Sequence, residues 1–229
     1  MSLILHGVPL SPFVRKVRIL LAEKHCDYKM QTVIPYATQE DYSLINPLRR
    51  IPALQDSDTT VCDSAVICDY LEATQPGTPL YPASPVDRAR ALWLEKYADY
   101  ELAPASTFRV FFQHIVQPTL GNQSDTTVIS DAIANQIPPH LDYLETQLAA
   151  QQWFISNQFS IADIAIASQL INLQHAGYQL DEQRWPGLSQ HLKRVCVRDS
   201  VASLLPSEQQ MVEKIKSRFD IGPLPLTCA

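Results

Sequence analysis

The stretch from Pro76 to Pro85, with Pro76, Pro79, Pro82 and Pro85 at intervals of three, most limits what this chain can build. Proline fixes φ and lacks an amide hydrogen, so a cluster of this kind interrupts any helix or strand ladder. The hydrophobic rhythm changes across it. Before it, short apolar runs alternate with helical patterns; after it only the helical period persists. The predicted organisation is a small α/β domain over residues 1–77, a linker over 78–86 and an all-helical domain over 87–229.

Within the first segment, Ser2 to His6 reads as a short buried strand. Ser11 to Lys24 reads as a helix, with Val14, Val17 and Leu21 on one face, Ser11 as N-cap and Pro12 at the first helical position. Tyr28 to Ile34 is a second strand. Ala53–Gln55 and Thr60–Cys62 flank the turn signal Asp56-Ser57-Asp58, and a helix follows from Asp63 to Thr74. A β-α-β unit, a hairpin and a helix make the thioredoxin-like order. Beyond the prolines, helices are predicted over 87–116, 125–150, 161–175 and 188–198. A further one spans 207–219, with Met211, Ile215 and Phe219 on one face.

Of the 229 residues, 46% are hydrophobic and 18% charged, a globular balance. The first residues lack the basic start and long apolar run of a signal peptide, and no stretch approaches membrane-spanning length. The expected location is cytoplasmic. A net charge of -6 with no basic stripe excludes a nucleic-acid footprint. Cys26, Cys62, Cys68, Cys196 and Cys228 form no C-x-x-C pair and no zinc-finger spacing. They read as free, mostly buried thiols, and no metal is expected. An anionic ligand requires local positive charge, for which Arg15, Arg49 and Arg50 are the candidates.

Three short strings carry the chemistry. Ser11-Pro12-Phe13 opens a helix with a hydroxyl. That hydroxyl is too weakly acidic to serve as a base, but it can donate a hydrogen bond to an anion, worth about 1.5–3 kcal/mol. Ile51-Pro52-Ala53 places an X-Pro step at a strand start, where proline is tolerated. Asp63-Ser64 opens a second helix, whose N-terminus favours a carboxylate. Downstream, Ser160-Ile161-Ala162-Asp163 has the form of a capping box.

In their order and spacing these strings resemble the cytosolic glutathione S-transferase family, of the serine type with a theta-like pattern. The resemblance implies a glutathione transferase in which Ser11 stabilises the glutathione thiolate. It implies that a cis Ile51–Pro52 bond leaves the Ile51 main chain free for the cysteinyl part of glutathione, and that Arg50 reaches the glycyl carboxylate. Asp63 and Ser64 would hold the γ-glutamyl end. Theta-type enzymes carry a His where this chain has Ala37, so Gln39 takes that contact. Relatives with cysteine chemistry have Cys at position 11, and the phenol-dependent types have a Tyr in the stretch His6–Pro9; this chain has neither.

The same resemblance puts the second substrate, a small hydrophobic electrophile, beside the first long helix of the second domain, at Phe108, Phe111, Phe112 and His114. The apolar, turn-rich tail from Ile221 to Leu226 is predicted to fold over a cleft. Glutathione is then a substrate; no metal or nucleotide is needed, no membrane or nucleic acid is bound, and a homodimer is implied. Two other readings stay open. The bound thiolate could attack a disulfide or hydroperoxide, or the fold could serve as a non-catalytic protein-interaction module.

Overall fold

Leu3–Gly7 forms β1, an apolar strand at the centre of a sheet of order β2-β1-β3-β4. The computed structural model describes residues 3–35 and 40–225. Helix α1 (Pro12–Glu23) carries the chain over the sheet to β2 (Tyr28–Thr32), which pairs parallel to β1 from Leu3↔Tyr28 to Gly7↔Thr32. Strand β3 (Ala53–Asp56) runs antiparallel to β1, and the turn at Ser57 leads into β4 (Thr59–Cys62). Helix α2 (Ser64–Thr74) then packs Ile67, Cys68 and Leu71 into the core shared with Val14, Val17 and Leu21. This is the thioredoxin-like order expected from the pattern.

The second domain is helical throughout. Helix α3 (Pro85–Tyr97), capped by Ser84, continues through Ala98–Leu102 and Pro104–Val116 with π-type hydrogen bonding, and ends in the short turn α4 (Gln117–Thr119). Pro104 accounts for the change. It removes a donor from the middle of a helix, and the ladder adjusts around it. The stretch predicted as one helix over 125–150 behaves likewise. It splits into α5 (Thr126–Asp131), a π-type turn (Ala132–Gln136) and α6 (Ile137–Leu148), with Pro138 and Pro139 at the second junction.

Helix α7 (Ile161–Ala176) is the axis of the domain, buried along almost its whole length. A helix buried on every side must be surrounded, and α7 packs against α1, α3 and the Pro104–Val116 segment. Its predicted capping box is present. The Asp163 carboxylate accepts from the Ser160 N–H at 2.8 Å, and from the Phe154 N–H at 3.0 Å. His191 on α8 (Pro186–Cys196) joins it at 2.8 Å. The short helix α9 (Asp199–Ala202) had no sequence signal and leads into α10 (Leu205–Arg218).

Three expectations change. Arg15 supplies no charge to a ligand: its side chain is fully buried, 2.7 Å from Glu208 on α10, and its guanidinium also donates to the Ser168 carbonyl and to Asn172. The buried stripe of α10 is Glu208 and Val212 with Ile215, whereas Met211 is exposed and Phe219, the C-cap, lines a groove against the tail. The ion pair to Arg15 sets that rotation. Among the described cysteines only Cys68 is buried, and Cys26, Cys62 and Cys196 are half-buried; Cys228 lies outside the described residues.

Candidate active site

The sheet register brings the three strings together. β1 ends at Gly7, beside the start of β3, where His6 pairs with Ala53; Ala53 pairs in turn with Cys62 at the end of β4. The loop to Ser11, the Ile51–Pro52 step and the Asp63–Ser64 helix start therefore leave the sheet at one end. Gly7 is required there. A Cβ at this position would stand 2.5 Å from a Val14 methyl and 3.5 Å from the Ile51 Cβ, so only glycine lets the three segments approach.

Ser11 is half-buried at the N-cap of α1. Its Oγ accepts from the Val14 N–H at 3.4 Å, and this uses only a lone pair. The hydroxyl proton remains available to donate. Helix capping and anion stabilisation are thus compatible roles of one oxygen, and the positive end of α1 points the same way.

The Ile51–Pro52 bond is cis. Neither the N–H nor the C=O of Ile51 bonds to another main-chain group among the described residues. The loop before it is held by residues that the sequence analysis did not single out. Tyr42 Oη donates to the Arg50 carbonyl at 2.8 Å, and Asn46 Nδ2 donates to the same oxygen at 2.7 Å. Burial raises the Tyr42 phenol to about 12, so it stays a donor. The Arg49 and Arg50 side chains are exposed and have no salt-bridge partner among the described residues. Gln39 lies outside the described residues.

Asp63 adopts φ 75° and ψ 131°, a conformation that non-glycine residues seldom keep unless their surroundings impose it. Its Oδ1 caps α2, accepting from the Ala65 N–H at 2.9 Å and the Val66 N–H at 3.3 Å. Ser64 is buried at 4% exposure. Beneath this helix start lies a cluster of charges that sequence reasoning missed. Lys16 on α1 donates to Glu95 at 3.0 Å and also pairs with Asp99, while Tyr81 Oη reaches Glu95 at 3.3 Å. Burial alone would depress the Lys16 ammonium, but Asp99 and Glu95 hold it well above its ordinary value. Burial raises the Asp99 carboxyl, and Asp63 adds to that rise. A lysine among buried apolar positions of a helix was the available signal.

The four aromatic candidates separate. Phe108, exposed on the Pro104–Val116 segment, stacks on Phe13 with ring centroids 6.3 Å apart, just beyond Ser11. Phe112, about one helical turn on, is half-buried. Phe111 belongs to the core at 4% exposure. His114 is buried and lines a groove with the C-terminal tail.

No described cysteine is an activated nucleophile. Burial raises Cys62, whose thiol donates to the Ile45 carbonyl at 3.3 Å, and raises Cys68 far more; Cys196 is pushed up to about 11. Among the described residues there is no cluster of side chains able to hold a metal ion, and no helix is long and apolar enough to cross a membrane.

Residues 5–79 match the glutathione S-transferase N-terminal domain and residues 127–194 the glutathione S-transferase C-terminal domain. Glutathione S-transferase 3 of Zea mays is 33% identical over 164 residues, covering 69% of this chain and 72% of that one. A stringent starvation protein A homolog of Haemophilus ducreyi is 26% identical over 193 residues, covering 82% of each. The crystal structure of a glutathione S-transferase from Rhodospirillum rubrum superimposes with a TM-score of 0.82 at 27% identity, covering 89% of this chain and 92% of that one. With the sheet order, the helical second domain and these likenesses in agreement, the chain belongs to the glutathione S-transferase family.

Proposed function

We propose that this protein is a glutathione transferase of the serine type, and that the end of the sheet is where glutathione binds. The observation that carries this reading is the convergence of three main-chain and hydroxyl groups at one sheet end. These are the uncommitted proton of Ser11, the unpaired main chain of Ile51 and the start of α2 at Ser64. They match the three parts of a γ-glutamyl-cysteinyl-glycine peptide. The Ser11 O–H donates to the sulfur. The Ile51 N–H and C=O bond the cysteinyl main chain as a strand would. Ser64 at the helix N-terminus takes the γ-glutamyl carboxylate, with the Oδ2 of Asp63, which has no hydrogen-bond partner among the described residues, for the α-amino group. Arg50 takes the glycyl carboxylate, and Gln39 completes that end.

The chemistry is electrostatic. A thiol of ordinary pKa near 8.5 is mostly protonated at pH 7. A hydrogen bond to its anion, about 1.5–3 kcal/mol, lowers that pKa by about one to two units. The thiolate then attacks a small apolar electrophile lying on Phe13, Phe108 and Phe112. A C–S bond forms, the leaving group or the developing anion is released to solvent, and no metal or nucleotide takes part. Burial raises the pKa of each described thiol, which favours the ligand's sulfur as the nucleophile. The half-exposed aromatic group of Trp93, Tyr97 and Tyr143, where Trp93 Nε1 donates to Tyr143 Oη at 2.7 Å, suits the homodimer that the family resemblance implies.

Likeness to a stringent starvation protein A homolog over most of both chains favours a second reading, a non-catalytic interaction module. One experiment separates the two. Glutathione is titrated calorimetrically into the protein and into Ser11→Ala at pH 6.5 and 8. The transferase reading expects both to bind and only the wild type to release protons at pH 6.5. Absence of binding at millimolar glutathione sinks it and leaves the interaction module. If glutathione binds, turnover with 1-chloro-2,4-dinitrobenzene against a peroxide or a mixed disulfide distinguishes transfer from reduction.

A further inference from the structure

A buried chain of side chains ties the helix that carries Ser11 to the segment that carries Phe108. Arg15 lies one turn after Ser11 on α1, and its N–H bonds to the Ser11 carbonyl at 2.9 Å. Its guanidinium Nη1 donates to Asn172 Oδ1 on α7 at 2.7 Å. Asn172 Nδ2 donates in turn to the Thr107 hydroxyl oxygen at 3.4 Å, and the Thr107 O–H donates to Gln169 Oε1 at 2.7 Å. Arg15, Asn172, Gln169 and Thr107 are all buried. Phe108 follows Thr107 directly, and its ring closes the circuit by stacking on Phe13, two residues after Ser11.

Thr107 departs from what a helical hydroxyl usually does, which is to bond back to a carbonyl of its own preceding turn. Ser106 follows that course, donating to the Leu102 carbonyl at 2.8 Å. Thr107 reaches across to α7 instead. Its segment, Pro104–Val116, has π-type hydrogen bonding, a pattern met mostly in single turns. A run of that length needs support from outside, and the hydroxyl supplies it on the buried side. Phe108 is 45% exposed, so its own packing fixes it less than its buried neighbour does.

We infer that Thr107, held by Gln169 and Asn172, is a positioning residue for the electrophile and acts through Phe108. The chain sets how closely the Phe108 ring approaches Phe13, and hence the apolar wall on which the electrophile rests while the thiolate attacks. The inference rests on the transferase reading of the cleft, and it assigns Thr107 no part in glutathione binding or thiol ionisation.

The test joins steady-state kinetics with 1-chloro-2,4-dinitrobenzene to calorimetric titration of glutathione. Both are run on wild type, Thr107→Val, Thr107→Ser, Phe108→Ala and the double variant Thr107→Val with Phe108→Ala. Valine keeps the shape and loses the hydroxyl; serine keeps the hydroxyl. Expected in Thr107→Val is a KM for the electrophile about 3–10-fold higher, with glutathione affinity and the pH dependence of the rate kept within about twofold. Thr107→Ser should return that KM to within about twofold of wild type. In the Phe108→Ala background Thr107→Val should change KM by less than about twofold, because the ring through which it acts is gone. A fluorine NMR signal from 4-fluorophenylalanine at position 108 reports the ring without any substrate, and should shift in Thr107→Val but not in Thr107→Ser. Three results overturn the inference: an unchanged KM and fluorine signal in Thr107→Val, the same rise in KM with and without the Phe108 ring, or a parallel loss of glutathione affinity. Wild type that binds no glutathione at millimolar concentration is a separate failure. It sinks the transferase reading, and the electrophile role falls with it whatever the fluorine signal shows. If Thr107→Val does not fold, Gln169→Met removes the acceptor from the α7 side and is read in its place.

Discussion

Arg15 and Glu208 stand 193 positions apart in sequence and 2.7 Å apart in space, with neither side chain exposed. The pair joins the first helix to the last long one. Arg18 also donates to Glu208, at 3.0 Å, and His175 approaches it at 3.2 Å, so a single carboxylate gathers two arginines and a histidine from α1 and α7. Fully buried charge of this kind is stable only while every partner is present.

Removing one partner should therefore cost far more than removing both. Arg15→Met removes the fully buried partner of Glu208, leaving Arg18 and His175, and is expected to destabilise by about 3–5 kcal/mol. For a chain of this length that lowers Tm by roughly 6–20 °C. Arg15→Met combined with Glu208→Leu should recover most of the loss, because two apolar side chains can replace a buried pair. Differential scanning calorimetry of the single and double variants checks this; a double variant as unstable as the single one contradicts it.

The same group gives the fold an acid limit. Burial would raise the Glu208 carboxyl, but Arg15 outweighs it, so its pKa falls below the ordinary 4.5. A depressed carboxyl contributes stability above its unfolded pKa, and that contribution fades as pH falls through the folded value. His175, His114 and His140 are also depressed from 6.5, each chiefly by burial. In the folded state they resist a proton that the unfolded chain accepts. Stability should accordingly begin to drop below about pH 6.5 and fall again below about pH 4.5. Thermal melts from pH 8 to 3 should show both steps, and His175→Gln should shrink the first. A flat profile between pH 7 and 5 contradicts the histidine part.

What the sequence could disclose follows from how local each signal is. Ser11 and the box at Ser160 and Asp163 act within a turn of their own helices, and the proline stretch acts on its own backbone. These features are readable from neighbours alone. Arg15 and Lys16 are different. Nothing local to α1 says what neutralises them, and their burial depends on Glu208, Glu95 and Asp99, all from the other domain. The outward turn of Met211 has the same origin, since the Glu208 pair rather than the apolar period sets the rotation of α10. Which of the aromatic candidates lies beside Ser11 required the Phe13 stack on Phe108, a contact between domains.

Arg49 and Arg50 are adjacent and both exposed, so charge alone does not distinguish them. Their backbones do. Arg49 sits at φ 53°, and the Arg50 carbonyl is fixed by Tyr42 and Asn46 beside the Ile51–Pro52 step. Arg50→Ala should weaken glutathione binding by about 3–10-fold, less than a buried charge would give because solvent screens the contact. The loss should shrink as salt is raised. Arg49→Ala should change affinity less than twofold. Titrations at low and high ionic strength test the pair; equal losses in both variants contradict the assignment.

The double role of Ser11 can be divided by substitution. Ser11→Ala removes both the cap and the donor, whereas Ser11→Gly keeps most of the capping preference and loses only the donor. Ala should lower stability by about 1 kcal/mol, seen as a Tm drop of about 2–4 °C, and Gly by a few tenths. If the hydroxyl stabilises the bound thiolate, both variants should slow conjugation at pH 6.5 by about 10–100-fold, the equivalent of one to two pKa units. The deficit should narrow as pH rises toward 9, where the thiol ionises without help. A Ser11→Gly protein with wild-type rates at pH 6.5 would reduce Ser11 to a helix cap. A deficit independent of pH would assign it to binding rather than to ionisation.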